Sequence, residues 1–172
     1  MSTLITTTAQ IGTIKDAGGN ATGITIDSSG VVSQPNTILP AACFHYSGAD
    51  IVAAAIIPLN TQTVLQGGMT MSSNAITLPQ TGLYKIGFYH LANSASAAGN
   101  VHARIEIRIN GATNSIMPHG WTQQHKPTAN NNSFTFHTIA SLSANNTVDF
   151  YCAGGAVHGN SDYNSMYVYK IG

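Results

Sequence analysis

The chain has 172 residues, only 7% of them charged, and six Lys or Arg balance six Asp or Glu to a formal net charge of zero. Without a basic excess it is not a phosphate-contacting nucleic-acid binder, and without a basic amphipathic stretch it has no electrostatic hold on a membrane. At 43% hydrophobic residues it is not expected to be disordered.

The first forty residues differ from the rest. Met1 to Thr8 shows neither the basic region nor the apolar run of a signal peptide, so the expectation is a protein made in the cytoplasm of its host. Residues 1–40 are rich in Gly, Ser and Thr and contain no aromatic side chain; the first is Phe44. A segment with so little bulk cannot offset its own ordering entropy. It reads as an extended arm that orders against a neighbouring subunit or a larger assembly. Its candidate anchoring contacts are Leu4, Ile5, Ile11, Ile14, Ile24, Ile26, Val31 and Val32. Ile24–Ile26 and Val31–Val32, separated by Asp27-Ser-Ser-Gly30, predict a small hairpin within it.

From Ala41 onward the pattern is that of short strands, with Gly, Asn, Ser and Thr breaking the chain every few residues. Strands are expected at 42–47, 51–57, 62–71 and 74–78. The 51–57 segment runs into Leu59 as the most apolar stretch of the chain, too short to cross a bilayer. Leu83–Leu91 is a longer strand with Tyr84, Ile86 and Phe88 on one side. In residues 101–109, Val101, Ala103, Ile105, Ile107 and Ile109 alternate with His102, Arg104, Glu106 and Arg108, and Asn110-Gly111 then predicts a tight hairpin turn. Residues 110–132 are expected to form a long variable loop. Ser133–Leu142 sets Phe134 and Phe136 against His137 and Ile139. Thr147–Cys152 aligns Val148, Phe150 and Cys152, and Met166–Ile171 closes the chain. The fold class is all-β: an antiparallel β-sandwich, or jelly roll, of about eight to ten strands over 41–172.

The segment Ile76-Thr-Leu-Pro-Gln-Thr-Gly-Leu-Tyr84 resembles the strand-entry signature of the complement globular-head and tumour-necrosis-factor superfamily. The Asn-Gly strand end, the 133–142 strand leading through a polar turn into 147–152, and a final aromatic strand follow in that family's order. Where the family usually has Gly-Asp before the apolar strand, this chain has Ala144-Asn145-Asn146. The resemblance implies a compact homotrimer. Tyr84, Tyr89, Tyr151, Tyr167 and Tyr169 are its candidate interface residues, since aromatics are enriched and charges depleted at subunit contacts. The opening, from Met-Ser-Thr-Leu to Ile-Thr-Ile-Asp-Ser-Ser-Gly30-Val-Val-Ser-Gln-Pro35, is similar to tail-fibre and capsid-decorating proteins of tailed bacteriophages.

No catalytic residues, metal ligands or cofactor are expected. The seven histidines lack helical zinc spacing. There is no nucleophile elbow and no phosphate loop. Glu106, between Arg104 and Arg108, reads as part of a cross-strand ion-pair ladder or an interprotomer contact. Cys43 and Cys152 are expected as buried thiols in strands. His119, Trp121 and His125 form a candidate glycan-binding loop around the single tryptophan, because the apolar face of a sugar stacks on an aromatic ring. Gly154–Tyr163 is a second candidate surface loop. The functional expectation is a trimeric capsid decoration or cement protein on the outer surface of a virion, with the major capsid protein or another virion protein as partner. The alternative is a receptor-binding knob of a short fibre recognising host surface glycans. A secreted ligand of the complement or cytokine type comes third.

Overall fold

A computed structural model describes residues 25–26, 32–33, 38–52, 54–91, 101–113, 119–124 and 133–172. Two compact units separate between Ile38 and Leu39. In the first, strands β1 (Thr25–Ile26) and β2 (Val32–Ser33) pair antiparallel, with Ile26 opposite Val32, which is the hairpin expected there.

The second unit holds the sandwich. Its strands are β3 (Ala41–His45), β4 (Ile51–Val52), β5 (Ala55–Ile56), β6 (Thr61–Gln66), β7 (Thr70–Ser72) and β8 (Ala75–Thr77). They continue with β9 (Gly82–Leu91), β10 (Val101–Ile109), β11 (Ala112–Thr113) and β12 (His119–Gln124). The last are β13 (Ser133–Leu142), β14 (Thr147–Gly154), β15 (Ala156–Val157) and β16 (Asn164–Lys170). One sheet has the order β13-β9-β16-β3-β6. The other runs β11-β10-β14-β8-β7, with β12 also on β10 and β5 also on β14. Every pairing is antiparallel.

Alternation dictates which side chains meet between the sheets. From the five-stranded sheet come Ala42, Phe44, Tyr84, Ile86, Phe88, Met166 and Val168; from the other come Ile76, Ile105, Ile107, Val148, Phe150 and Cys152, all buried. The Phe88 and Phe150 rings meet edge to face across the gap, 6.2 Å between centroids. Phe136 of β13 packs on Phe88 from the side at 6.1 Å. Cys152 is buried as expected, whereas Cys43 is only half-buried.

The turns explain where the expected strands break. The 62–71 segment is two strands, because Gly67 and Gly68 take φ of 63° and 82° and carry the chain from β6 in one sheet to β7 in the other. Similarly, Ala54 at φ 62° splits 51–57 into β4, which pairs with β15, and β5, which pairs with β14. Asn110 and Gly111, at φ 55° and 72°, form the expected two-residue turn between β10 and β11. The chain bends at Pro79 and Gln80 and enters β9 at Gly82, where a Cβ would overlap the Gly172 carbonyl and the Lys170 side chain. Tyr84 then donates its hydroxyl back to the Gln80 carbonyl at 2.6 Å. Tyr84 is thus a core residue with no surface to offer another chain, contrary to its expected interface role.

Two expected loops contain strands. Residues 110–132 include β12, which pairs along β10 from Val101 to Glu106. Gly154–Tyr163 includes β15 and a short 3-10 turn, Ser161–Tyr163. It is pinned by the Asp50 carboxylate accepting from Gly159 N–H and by the Asn164 amide donating to the carbonyls of Tyr46 and Asn160.

His90 follows Phe88 on the inner face of β9 and is fully buried. Burial lowers its pKa to about 3, so the ring is neutral at physiological pH. In the unfolded chain it titrates near the usual 6.5. Its stabilising effect is therefore complete above pH 6.5 and is lost as pH falls toward 3, by about 1.4 kcal/mol per pH unit. Urea unfolding between pH 7.5 and 5 is expected to show this slope in the wild type and a flatter one in His90→Leu. Phe150→Ala is expected to cost about 3–5 kcal/mol by the same measurement.

Candidate functional site

The outer face of the five-stranded sheet is the most distinctive surface of the second unit. Residues opposed across antiparallel strands share a face, so the register builds it row by row. Ile139, Lys85, Tyr169 and Ala41 form one row, and His137, Gly87, Tyr167 and Cys43 the next. Thr135, Tyr89 and Ser165 follow. At the other end Ser141 stands opposite Leu83, which exchanges backbone hydrogen bonds with Ile171 and Gly172 at 2.8 Å.

This face mixes large aliphatic and aromatic side chains with small polar ones and His137. Ile139 is 58% exposed, and Leu83 and Ile171 are each 45% exposed. Leu39, just before β3, is exposed as well. Tyr167 and Tyr169 stack at 5.8 Å between centroids. Lys85 is the one Lys, Arg, Asp or Glu side chain of the face among the described residues, and its Nζ lies 5.8 Å from the Tyr169 ring centre.

Gly87 makes the face possible at its centre. A Cβ there would overlap the Tyr167 ring and hydroxyl and approach the Phe136 carbonyl to 2.7 Å. The tyrosine therefore lies down across the glycine, which has no side chain of its own to pack. Burial raises the Tyr167 phenol pKa, which Lys85 partly offsets, and burial also raises the Cys43 thiol. Both groups stay neutral at physiological pH, so neither charges the face.

The other sheet has an opposite character on its outer face. Arg104 pairs with Glu106 on β10. The Arg108 Nε donates to Asp149 Oδ1 across the strands at 2.6 Å, and its guanidinium covers the Tyr151 ring at 4.3 Å. The Glu106 ion pair runs along β10 to Arg104 rather than across strands, the cross-strand pair being Arg108–Asp149, and both carboxylates are buried.

The expected interface tyrosines thus separate. Tyr89, Tyr167 and Tyr169 come together on one face, Tyr151 lies on the other sheet, and Tyr84 is in the core. His119 and Trp121 sit on strand β12 rather than in a loop, and His125 lies outside the described residues. Among the anchoring candidates, Ile26 and Val32 are register partners in the β1–β2 pair. Leu4, Ile5, Ile11, Ile14, Ile24 and Val31 lie outside the described residues. The residues that sequence reasoning missed are Leu39, Leu83 and Ile171. The available signal was Leu83 alternating with Tyr84 and Ile86, which puts a large aliphatic on the side away from the core.

No protein-family model matches the chain, and no curated protein matches it. Among solved structures it is similar to the Eiger TNF from S. frugiperda, with a TM-score of 0.58 at 11% identity, over 78% of this chain and 93% of that one. At that identity the likeness shows the fold alone: a TNF-like jelly roll, in agreement with the two antiparallel sheets.

Replacing Gly87 with Ala is expected to destabilise the protein by about 1–3 kcal/mol, because the Tyr167 ring and the Phe136 carbonyl must move. A urea titration of Gly87→Ala beside the wild type checks this.

Proposed function

We propose that this protein is a non-enzymatic structural component of a virion: a homotrimer that sits on the outer surface of a bacteriophage capsid as a decoration or cement protein. The observation that carries the reading is the outer face of the five-stranded sheet. Leu83, Ile139, Ile171, Tyr89, Tyr167 and Tyr169 lie there with a single lysine. Such a composition fits the core of a subunit contact. Full burial of a side chain such as Ile139 contributes about 1.5–3 kcal/mol. The family resemblance of the Ile76–Tyr84 segment supports three as the number of subunits, and the style of the N-terminal sequence supports the phage setting.

In this reading the mechanism is passive. The trimer forms through the aromatic sheet faces, and three arms reach the adjoining capsid subunits together. Each arm contact is weak alone, and linkage through the trimer multiplies it by effective concentration. The scarcity of charge suits contacts built from apolar burial and hydrogen bonds. The partners are therefore two further copies of this chain and the major capsid protein, or another virion protein.

Purified protein mixed with undecorated shells tests this. Saturable binding by the full chain is expected, with loss of binding on removal of Met1–Ile38, a cut that leaves the Lys170 N–H to Pro40 carbonyl bond in place. Tyr169→Glu is expected to bind at least about tenfold more weakly, because a monomer loses the multivalent gain. Absence of binding by the full chain, or equal binding without the arm, contradicts the reading.

A further inference from the structure

Two histidines hold the segment from His158 to Asn164 by bonds of opposite polarity. The His45 Nδ1 lies 2.5 Å from the Asn164 carbonyl oxygen and 3.2 Å from that of Ser161. Carbonyl oxygens only accept, so this nitrogen carries its proton and donates. The His158 Nδ1 instead accepts the Asn160 N–H at 3.2 Å. That bond needs a bare nitrogen, so the proton of the neutral ring sits on Nε2. A further proton on each ring leaves the His45 bonds intact and removes the His158 bond.

A replacement partner stands beside His158. Asp50 Oδ1 lies 3.8 Å from the same Nδ1 and already accepts the Gly159 N–H at 2.9 Å. A carboxylate has lone pairs for a second donor. The His158 and Asp50 side chains keep 26% and 27% exposure, so solvent protons reach both. The backbone on either side of the ring is fixed. The His158 N–H donates to the Leu91 carbonyl at 2.9 Å, and the Gly48 N–H donates to the Gly159 carbonyl at 2.7 Å. The turn beyond depends on Asn160. Its Oδ1 accepts from the Asp162 N–H and its carbonyl from the Tyr163 N–H, each at 3.0 Å. Tyr163 also sets its ring edge to face with His158, 5.2 Å between centroids. The other titratable groups around this segment, among the described residues, are His45, Tyr46, His90 and the exposed Asp162. Burial, and secondarily Asp50, raises the Tyr46 phenol pKa, and His90 stays neutral, so neither supplies a charge.

We propose that His158 is a proton-operated latch on the Asn160–Tyr163 turn. Neutral, it holds the Asn160 N–H. Protonated at Nδ1, it turns to the Asp50 carboxylate, and the Asn160 N–H passes to water. The Tyr163 ring, 41% exposed, loses its edge contact as the imidazole turns. The proton comes from solvent and rests on the imidazole. Acid thus reshapes one end of the sandwich, where β9 finishes at Leu91 and β16 begins at Asn164, and leaves the sheets in place. The latch operates whether or not the protein decorates a shell, because every group in it belongs to one copy of the chain.

NMR of the intact protein tests this, with backbone amides and histidine ring signals followed together from about pH 8 to about pH 5. The Asn160, Asp162 and Tyr163 amides are expected to shift with one midpoint, that of the His158 ring. The Ala144 amide, which donates to Thr81 Oγ1 near the start of β9, is expected to stay still. His158→Asn offers an amide oxygen to the N–H two residues on and does not titrate, so its turn is expected to ignore pH. Asp50→Asn keeps an oxygen for Gly159 without the charge, and is expected to lower the His158 midpoint. A fixed Asn160 amide in the wild type, a midpoint unlike that of His158, or movement of Ala144 in step with it, as global unfolding would give, overturns the proposal. So does a folded His158→Asn whose Asn160 amide still titrates, or a folded Asp50→Asn with an unchanged midpoint. The wild-type titration decides the matter by itself if neither variant folds.

Discussion

The edge-to-face contact of Phe88 with Phe150 is the point on which the rest of the sandwich hangs. It joins the central strand pair of one sheet to that of the other. The branched side chains around it, Ile86, Ile107, Val148 and Val168, are buried with it. Once these inner faces are committed, period two leaves each strand only one other face. The outer surfaces are then fixed by register alone. Position 85 must lie beside 169 and 139, and position 106 beside 151 and 119.

That constraint makes the distribution of charge informative. Four of the twelve charged residues, Arg104, Glu106, Arg108 and Asp149, gather on one outer face and neutralise one another there. Among the described residues the opposite outer face keeps a single lysine, itself near a tyrosine ring. A chain this poor in charge could spread its ionic groups evenly for solubility. Instead it gathers four of them on one sheet and leaves exposed aliphatic and half-buried tyrosine side chains on the other.

Much of the fold is legible in the sequence, because the long strands alternate cleanly. Tyr84, Ile86 and Phe88 share a face, as do Val148, Phe150 and Cys152, and both sets are in the core. Asn110-Gly111 makes the turn that its residues favour. The same reasoning places Tyr84 inside, since it shares a face with Ile86 and Phe88; grouping it with the interface tyrosines ignored that. Strand β12 was not legible, because His-Gly-Trp-Thr-Gln-Gln has few β-branched residues and its pairing with β10 is a tertiary event. The burial of Glu106 was hidden as well. It depends on Arg104 beside it and on the β14 strand across from it, which no local pattern reports. Alternation puts Leu83 on the side away from the core, but it does not distinguish a solvated outer face from a covered one.

The central claim is that the aromatic outer face of the five-stranded sheet is a contact between copies of this chain. The most direct measurement is the native mass of the intact wild-type protein across a wide dilution series. A single species at three chain masses, persisting on dilution, is the predicted result. A species at one chain mass throughout would contradict the claim and leave Leu83, Ile139, Tyr167 and Tyr169 facing solvent.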